Sequence, residues 1–150
     1  MQALQERLRV SKSFAPHVTG ILSLVIAAEA VMAHVGAVCE RQGITRPQMN
    51  VLRILRGAGE AGHSRRSIAA RMVEHAPDVT RLLDRLVAVG YVERTRSPHD
   101  RRESIARITP RGSAFLAELD PEVSMAERQV GDRLSEEEWN QMASLCQKLW

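Results

Sequence analysis

Residues 64–108 of this 150-residue chain carry the pattern that most constrains its fold. Five apolar residues within it recur at the spacing that places them on one face of a helix: Val79, Leu82, Leu83, Leu86 and Val89. Pro77 suits the first helical position, where no backbone donor is needed, and Gly90 can adopt the left-handed conformation that ends a helix. These signals predict a helix from about Pro77 to Gly90 with one buried and one outward face.

The outward face of this predicted helix is polar and carries Asp78, Thr80, Arg81, Asp84 and Arg85. An arginine in its first turn can bond guanine O6 and N7 together in a major groove, so Arg81 is the main candidate for reading a base. In the alternative interpretation, both arginines are solvated and pair with Asp78 or Asp84 three or four residues away. Considered alone, each arginine is better explained by that alternative. The neighbouring segments are what favour DNA binding.

A short helix is predicted before this one, and Ser64 is placed to cap it. Its expected inward residues are Ile68, Ala69 and Met72. Its arginines are left to the surface or to DNA phosphates: Arg65, Arg66 and Arg71. The two helices therefore share one small core.

Two strands are predicted after Gly90, at 91–95 and 103–108, because these segments are richer in Val, Ile, Tyr and Thr than their surroundings. The turn between them is polar: Arg96, Ser97, Pro98, His99, Asp100, Arg101 and Arg102. An arginine at such a tip can enter a narrow A·T-rich minor groove, with Asp100 orienting it. The order of elements predicts a winged helix-turn-helix, in a fold that is mainly α with a small β-hairpin.

The chain resembles the MarR family of bacterial transcriptional regulators over nearly its whole length. The family's D-x-R wing signature falls on Asp100 and Arg102, and its LTxxG helix opening reads ITPRG at 108–112, where only the first letter differs. The stretch APDVTRLLDRLVAVGYVERTR resembles the family's recognition helix and following strand. The resemblance implies a base-facing role for Pro77, Thr80 and Arg81, and a minor-groove role for Arg102.

The charge distribution agrees with a DNA-binding surface. Residues 63–111 hold eleven arginines and six carboxylates, whereas residues 112–150 hold three basic and eight acidic side chains. Phosphate contacts predict that affinity falls by roughly 0.9 logarithmic units per neutralised phosphate per decade of salt. The candidate DNA-binding residues are Ser64, Arg65, Arg66, Pro77, Asp78, Thr80, Arg81, Arg85, Arg96, Asp100, Arg101 and Arg102.

An apolar stripe at helical intervals precedes the winged segment: Val18, Ile21, Leu22, Val25, Ala28, Met32, Val35 and Cys39. Glu29 and His34 interrupt this region, so we expect an amphipathic helix rather than a membrane anchor. No apolar run approaches the roughly 20 residues that span a bilayer, and the amino terminus lacks a signal-peptide pattern. These observations predict a cytoplasmic protein without a membrane partner.

Capping boxes mark the starts of two further helices. Thr45 and Gln48 open one that runs to about Arg56, with Ile44 and Met49 as a hydrophobic staple, before GAGEAG breaks it. Ser135 and Glu138 open the last helix, with Leu134 and Trp139 as its staple. The apolar face of that last helix is Trp139, Met142, Ala143, Cys146 and Leu149. Thr109 and Pro110 start a helix between them, which Pro121 is expected to kink or interrupt.

We expect one domain over 1–150, with a winged helix-turn-helix lobe at about 45–111 and dimerisation helices at about 14–42 and 112–150. The apolar stripes of the outer helices exceed what a small lobe can cover, which predicts a homodimer; the alternative is packing within a monomer. The resemblance implies dimerisation through the terminal helices. A two-fold axis would then place recognition helices roughly 34 Å apart on a pseudo-palindromic site in double-stranded DNA. Blocking of promoter access by a repressor is the expected outcome.

The resemblance also implies a cleft for a small phenolic or aromatic acid between the dimerisation helices and the lobe. Cations that could hold a carboxylate there are His17, His34, Arg41 and Arg53, although such side chains are more often surface groups. A ligand that releases DNA must bind one spacing of the lobes better than the other.

The sequence gives less support to oxidant sensing, metal binding or catalysis. Cys39 and Cys146 fall on apolar stripes, which favours unreactive buried thiols, although Arg41 beside Cys39 keeps an oxidant-sensing role open. His34 and Cys39 lie about 140° apart around a helix and poorly share a face, so no metal or other cofactor is expected. No nucleophile elbow or phosphate-binding glycine loop is present, which argues against an enzyme. The remaining rival is a winged-helix architectural or adaptor protein without ligand control.

Overall fold

The structure is a computed structural model that describes residues 2–11, 13–73, 78–96 and 104–149. It is mainly helical with one small sheet, as the sequence predicts. The helices are α1 (Gln2–Leu8), α2 (Pro16–Arg41), α3 (Arg46–Ala58), α4 (Arg65–Ala69), α5 (Val79–Ala88), α6 (Pro110–Gly131) and α7 (Glu136–Cys146). The strands are β1 (His63–Ser64), β2 (Val92–Arg96) and β3 (Ser104–Ile108), and single 3-10 turns follow α3 and α7.

The sheet is antiparallel with the order β1-β3-β2, so β3 is its central strand. Val92 pairs with Ile108 and Arg96 with Ser104, which makes β2 and β3 the predicted hairpin, with each strand beginning one residue later than predicted. β1 is not predicted from the sequence, because its two residues are too few to show an alternating pattern. β1 leads directly into α4, and the sheet thereby ties the start of the helix pair to the hairpin.

One hydrophobic core joins the winged segment to α3 and α6. Its largest fully buried side chains are Leu52, Leu55, Ile68, Leu86, Leu116 and Leu119. These residues come from four helices, and burial of each leucine side chain contributes roughly 1.5–3 kcal/mol. The lobe that carries α4, α5 and the hairpin is therefore packed onto α6, which continues beyond it to contact α2.

Both predicted capping boxes are confirmed. At α3, Thr45 Oγ1 accepts a hydrogen bond from the backbone of Gln48, and Gln48 Oε1 accepts one from the backbone of Thr45 at 2.8 Å. At α7, Ser135 and Glu138 make the same reciprocal pair. Such boxes satisfy amide groups at a helix start that have no partner within the helix.

The start of α5 differs from the prediction. Pro77 is predicted at the first helical position, but the helix begins at Val79 with Asp78 as its N-cap; Pro77 itself lies outside the described residues. Asp78 Oδ1 accepts a hydrogen bond from the backbone of Arg81, the contact by which an N-cap aspartate satisfies a free amide at a helix start. Gly90 does adopt the predicted left-handed conformation, with φ of 77°.

Three further expectations are wrong in detail. Val89 is 45% exposed because α5 ends at Ala88 and the chain turns there. Ala69, expected to point inward from α4, is exposed at the end of a helix of only five residues. Of the two effects expected of Pro121, a kink or an interruption, the interruption does not occur, since α6 runs from Pro110 to Gly131.

α2 also departs from expectation. By length and composition it is apolar enough to cross a membrane, contrary to the prediction that no segment approaches that limit. Its C-terminal part is buried at Val35, Val38 and Cys39, whereas Ile21 and Val25 on the predicted stripe are 57% and 49% exposed. Much of the apolar face of α2 is thus uncovered in a single chain.

Candidate nucleic-acid interface

α5 has the two-sided character that the sequence predicts. Val79, Leu83 and Leu86 are buried against the core, and the opposite side exposes Thr80, Arg81 and Arg85. The helix is therefore held firmly from behind and presents cationic and hydroxyl side chains to solvent. Backed in this way, a helix can enter a groove without unfolding part of its own core.

Arg81 is both exposed and held by a neighbour. Its Nε lies 3.0 Å from Asp78 Oδ2, and its side chain is 81% exposed. Arg81 therefore does pair with Asp78, as the alternative interpretation of the sequence expects. The pairing leaves most of the guanidinium facing solvent, so it does not remove Arg81 from a surface that could contact DNA.

Arg94, which is not among the candidates predicted from the sequence, joins β2 to α5. Its Nη1 lies 2.8 Å from Asp84 Oδ1, and its Nη2 donates a hydrogen bond of 3.2 Å to the backbone carbonyl of Thr80. Thr80 and Asp84 are one helical turn apart, so the planar guanidinium contacts two successive turns of α5. This arginine fixes the hairpin strand against the exposed helix.

α4 brings more arginines to the same lobe. Ser64 Oγ accepts a hydrogen bond from the backbone of Ser67, which confirms Ser64 as the cap, and both Arg65 and Arg66 are exposed. Arg71 donates to the carbonyl and the hydroxyl of Ser67 at 3.0 and 2.6 Å. Partial burial, followed by the nearby Arg71 charge, lowers the pKa of His63, which favours a neutral imidazole beside these cations.

The structure describes the two strands of the hairpin but not residues 97–103 between them. Arg96 is exposed, but it is the last residue of β2, paired with Ser104, and not the first residue of the turn as predicted. Asp100, Arg101 and Arg102, to which the sequence assigns the wing tip, lie outside the described residues. At the base of the hairpin, Arg107 donates 2.6 Å hydrogen bonds to the carbonyl of Glu60 and to Thr95 Oγ1. These contacts fix the direction in which the hairpin leaves the lobe.

The contacts between the hairpin and α6 explain why threonine occurs at 109 and glycine at 112. Thr109 caps α6 through Gly112 and donates its hydroxyl to the carbonyl of Gly90 at 2.7 Å. A Cβ at Gly112 would collide with the carbonyl oxygen of Tyr91, so only glycine fits there. The Tyr91 ring stacks on Phe115 with centroids 4.5 Å apart. The end of α5 is thereby bound to the start of α6.

An ion-pair cluster connects α3 with α6 over a long sequence separation. Asp120 accepts hydrogen bonds from Arg53 Nη2 at 2.9 Å and from Arg56 Nη1 at 2.6 Å. Burial would raise the pKa of Asp120, but the bonds from Arg56 and Arg53 outweigh it and hold the pKa below its ordinary value. Arg53 was a candidate for holding an effector, yet its guanidinium is engaged with Asp120 and lies 3.9 Å from Glu127.

The other effector candidates are spread along α2. His17 is exposed near its start, and His34 contacts the carbonyl of Ala30 at 2.7 Å. Arg41 lies 3.5 Å from Glu122 on α6. His34 and Arg41 share a small cavity of about 290 Å³ between α2 and α6, whereas Arg53 and His17 do not line it.

A larger apolar groove lies between α2 and α7, with a volume of about 620 Å³. Trp139, Met142, Ala143 and Cys146 contribute the predicted apolar face of α7. None of the side chains of α7 is buried, because within one chain this face is covered only in part. Trp139 Nε1 donates to the carbonyl of Gly131, which holds the indole beside the groove.

The two cysteines differ in environment. Cys39 is fully buried, and burial raises the pKa of its thiol against the opposing charges of Arg46 and Arg53. Its Sγ lies 3.7 Å from Met49 Sδ. Cys146 is partly exposed at the groove and is not the fully buried thiol that the sequence analysis favours. Among the described residues, no group of three or more His, Cys, Asp or Glu side chains is arranged to hold a metal ion.

The sequence of the chain is similar to those of known proteins. Residues 18–103 match the sequence profile of the MarR family. A curated relative from Thauera aromatica, described as a putative transcriptional regulatory protein for the hcr operon, is 26% identical over 109 residues. That match covers 73% of this chain and 64% of the relative, so the chain spans less than two thirds of the relative's length.

Solved structures share the fold. A MarR family transcriptional regulator from Streptomyces coelicolor, solved in complex with DNA, has a TM-score of 0.82 at 22% identity, and the alignment covers 92% of this chain and 91% of the other. BpsR from Bordetella bronchiseptica, whose DNA binding is described as regulated by 6-hydroxynicotinic acid, has a TM-score of 0.74 at 23% identity. That alignment covers 87% of this chain and 97% of the other.

Proposed function

Because the chain belongs to the MarR family of transcriptional regulators, we propose that it binds double-stranded DNA in a sequence-dependent manner and represses transcription by blocking promoter access. The observation that carries this proposal is α5, whose buried side packs on the core while Thr80, Arg81 and Arg85 face solvent. The solved complex of the Streptomyces coelicolor regulator with DNA supports it through the shared fold.

The proposed division of labour follows the geometry of the lobe. α5 enters the major groove, where Arg81 reads a base edge and Asp78, Thr80 and Arg85 line the contact. Ser64, Arg65 and Arg66 at the start of α4 bind phosphates, and positively charged side chains there fix the register of the protein on the duplex. The hairpin contributes Arg96 and, from the turn after it, Arg101. By the family resemblance, Pro77 has a base-facing role, and Asp100 and Arg102 form the wing signature, with Arg102 in the minor groove.

Selection of bound duplexes from a random pool tests this function. We expect enrichment of a pseudo-palindrome with half-sites about one helical turn apart, and binding that weakens steeply as salt is raised. Arg81→Ala should cost about 1–3 kcal/mol of discrimination at one base pair of each half-site. Salt-sensitive binding without any enriched sequence would favour the architectural alternative, and absence of DNA binding would favour an adaptor.

We propose that the functional unit is a homodimer formed by α2, α6 and α7, with the winged lobe at about 45–111 and one domain over the whole chain. The exposed apolar side chains of α2 and α7 support this arrangement, because burial between two copies removes them from water. Leu24→Asp, which places a charge in the α2–α7 groove, should shift the mass in solution towards a monomer. Val73→Asp, at an 83% exposed site outside the groove, is the matched control and should leave the mass unchanged.

The proposed dimer also explains why α2 is so apolar without requiring that this helix cross a membrane. Residues 18–41 of α2 lie within the segment that matches the family, and we propose a cytoplasmic protein in which a second copy covers the apolar face. We expect the chain to remain in the supernatant after high-speed centrifugation of a cell lysate. Recovery in the membrane pellet would contradict this assignment.

We propose further that a small aromatic or phenolic acid controls DNA binding. The regulation described for BpsR by 6-hydroxynicotinic acid supports this class of effector, and His34 and Arg41 beside the α2–α6 cavity could hold its carboxylate. An effector must favour one arrangement of the lobes, since equal affinity for both would release no DNA. A screen of small aromatic acids for release of the selected duplex tests the idea, and Arg41→Ala should weaken the response.

A further inference from the structure

Asp78 contacts Arg81 in two different ways. Its Oδ1 accepts a hydrogen bond from the backbone N–H of Arg81 at 3.1 Å, which caps α5. Its Oδ2 lies 3.0 Å from Nε in the side chain of the same arginine. One carboxylate therefore fixes the start of the helix and the direction of a side chain that the helix carries.

The contact uses only one edge of the guanidinium. Arginine has five N–H donors in a rigid plane, and an acceptor at Nε leaves the Nη1 and Nη2 groups available. The side chain of Arg81 is 81% exposed, so these remaining groups face solvent on the open side of α5. Two parallel donors at that end match the paired acceptors O6 and N7 of guanine.

We propose that Asp78 is a positioning residue that orients Arg81 for base recognition; this inference rests on the proposed function. An exposed ion pair contributes little to folding stability, and Asp78 is itself 45% exposed. Holding a long side chain in place before binding, however, reduces the conformational entropy that binding would otherwise remove. The pair therefore acts on recognition more than on stability.

The charge of Asp78 has a second consequence. A carboxylate at the surface that meets DNA is repelled by phosphates, and that repulsion weakens binding to every sequence alike. This uniform repulsion alone leaves the ratio between correct and incorrect sites unchanged. Orientation of Arg81 adds affinity only where its guanidinium bonds the correct base, so Asp78 raises that ratio through Arg81.

Asp78→Asn tests the inference without removing the helix cap. Asparagine caps helices as well as aspartate, but its single carbonyl oxygen lacks the second acceptor for Nε, and the negative charge is lost. The measurement is the affinity for the selected duplex, for the duplex changed at the base pair that Arg81 reads, and for a random duplex. We expect discrimination at that base pair to fall about two- to tenfold, while affinity for random DNA rises or is unchanged.

Three comparisons make the result decisive. Glu93→Gln, which removes an exposed carboxylate on β2, should raise affinity for random DNA without changing discrimination. In an Arg81→Ala background, Asp78→Asn should have no further effect on discrimination. Asp78→Ser, which keeps a capping hydroxyl too short to reach Nε, should behave like Asp78→Asn, and thermal unfolding should show all variants folded.

Opposite results overturn the proposal. If Asp78→Asn lowers affinity for all three duplexes equally, Asp78 acts only on the fold; if discrimination is unchanged, it does not orient Arg81. If the wild type and Asp78→Asn prefer the same sequence to the same extent, the inference is refuted and the proposed function stands. A wild-type chain without any sequence preference overturns both.

Discussion

Asp120 offers the sharpest test of how the winged lobe is attached to α6. We predict that Asp120→Asn destabilises the protein, because two arginines on α3 lose a shared carboxylate. The side chains of Asp120 and Arg53 are 27% and 31% exposed, and that of Arg56 is 41% exposed. Solvent therefore screens the cluster in part but not fully.

The magnitude follows from this intermediate exposure. Fully exposed pairs contribute about 0.2–1 kcal/mol each, and hydrogen bonds to charged groups in less exposed sites contribute about 1.5–3 kcal/mol. For two arginines sharing one carboxylate we expect a loss of about 1–3 kcal/mol. For a chain of this size that corresponds to a decrease in Tm of roughly 2–12 °C at constant protein concentration.

The pH dependence supplies an independent check. Because the pKa of Asp120 is lower in the folded state, its contribution is fully present above the unfolded value of about 3.9 and is lost as the pH falls through the folded pKa. The stability difference between wild type and Asp120→Asn should thus be largest at pH 7 and shrink below about pH 4. Urea unfolding followed by circular dichroism measures it.

Glu127→Gln is the matched control for that experiment. Glu127 lies 3.9 Å from Arg53 and is 51% exposed, so its loss should cost less than about 0.5 kcal/mol. Equal stability of wild type and Asp120→Asn at pH 7, or a difference that persists unchanged at pH 2, would refute the reasoning.

Three other predictions follow from single contacts. Gly112→Ala should destabilise the fold by about 1–3 kcal/mol in thermal unfolding because its Cβ meets the carbonyl of Tyr91, whereas Gly57→Ala, in open space on α3, should stabilise it by up to about 1 kcal/mol. Arg94→Ala should lower DNA affinity with an unchanged salt slope in titrations at several salt concentrations, since its guanidinium holds α5 rather than a phosphate. In a Cys146→Ser variant, which lacks the partly exposed thiol, peroxide should leave DNA affinity unchanged, because burial raises the pKa of Cys39 and keeps its thiol protonated; a thiol-dependent loss would count against this.

Local signals predicted much of the fold. The capping residues at Thr45, Ser64 and Ser135 mark helix starts because the cap is a contact between residues three apart. The apolar spacing in α5 predicted which side is buried at Val79 and Leu86. Errors arose where two local signals compete, as at the start of α5.

Contacts between distant segments could not be predicted in the same way. Arg53 and Asp120 are 67 residues apart, and Arg94 and Thr80 belong to a strand and a helix whose relative position depends on the whole lobe. The proposed base contact of Arg81 could be read from the helix, but the second contact of Asp78 with its side chain depends on rotamers that a sequence pattern does not specify.

A crystal structure of the protein bound to its selected duplex tests the central claim most directly. We predict that α5 lies in the major groove, with the Nη groups of Arg81 within hydrogen-bond distance of a guanine and Asp78 still in contact with its Nε. A complex in which α5 faces away from the duplex, or in which Arg81 contacts only solvent, would contradict the account.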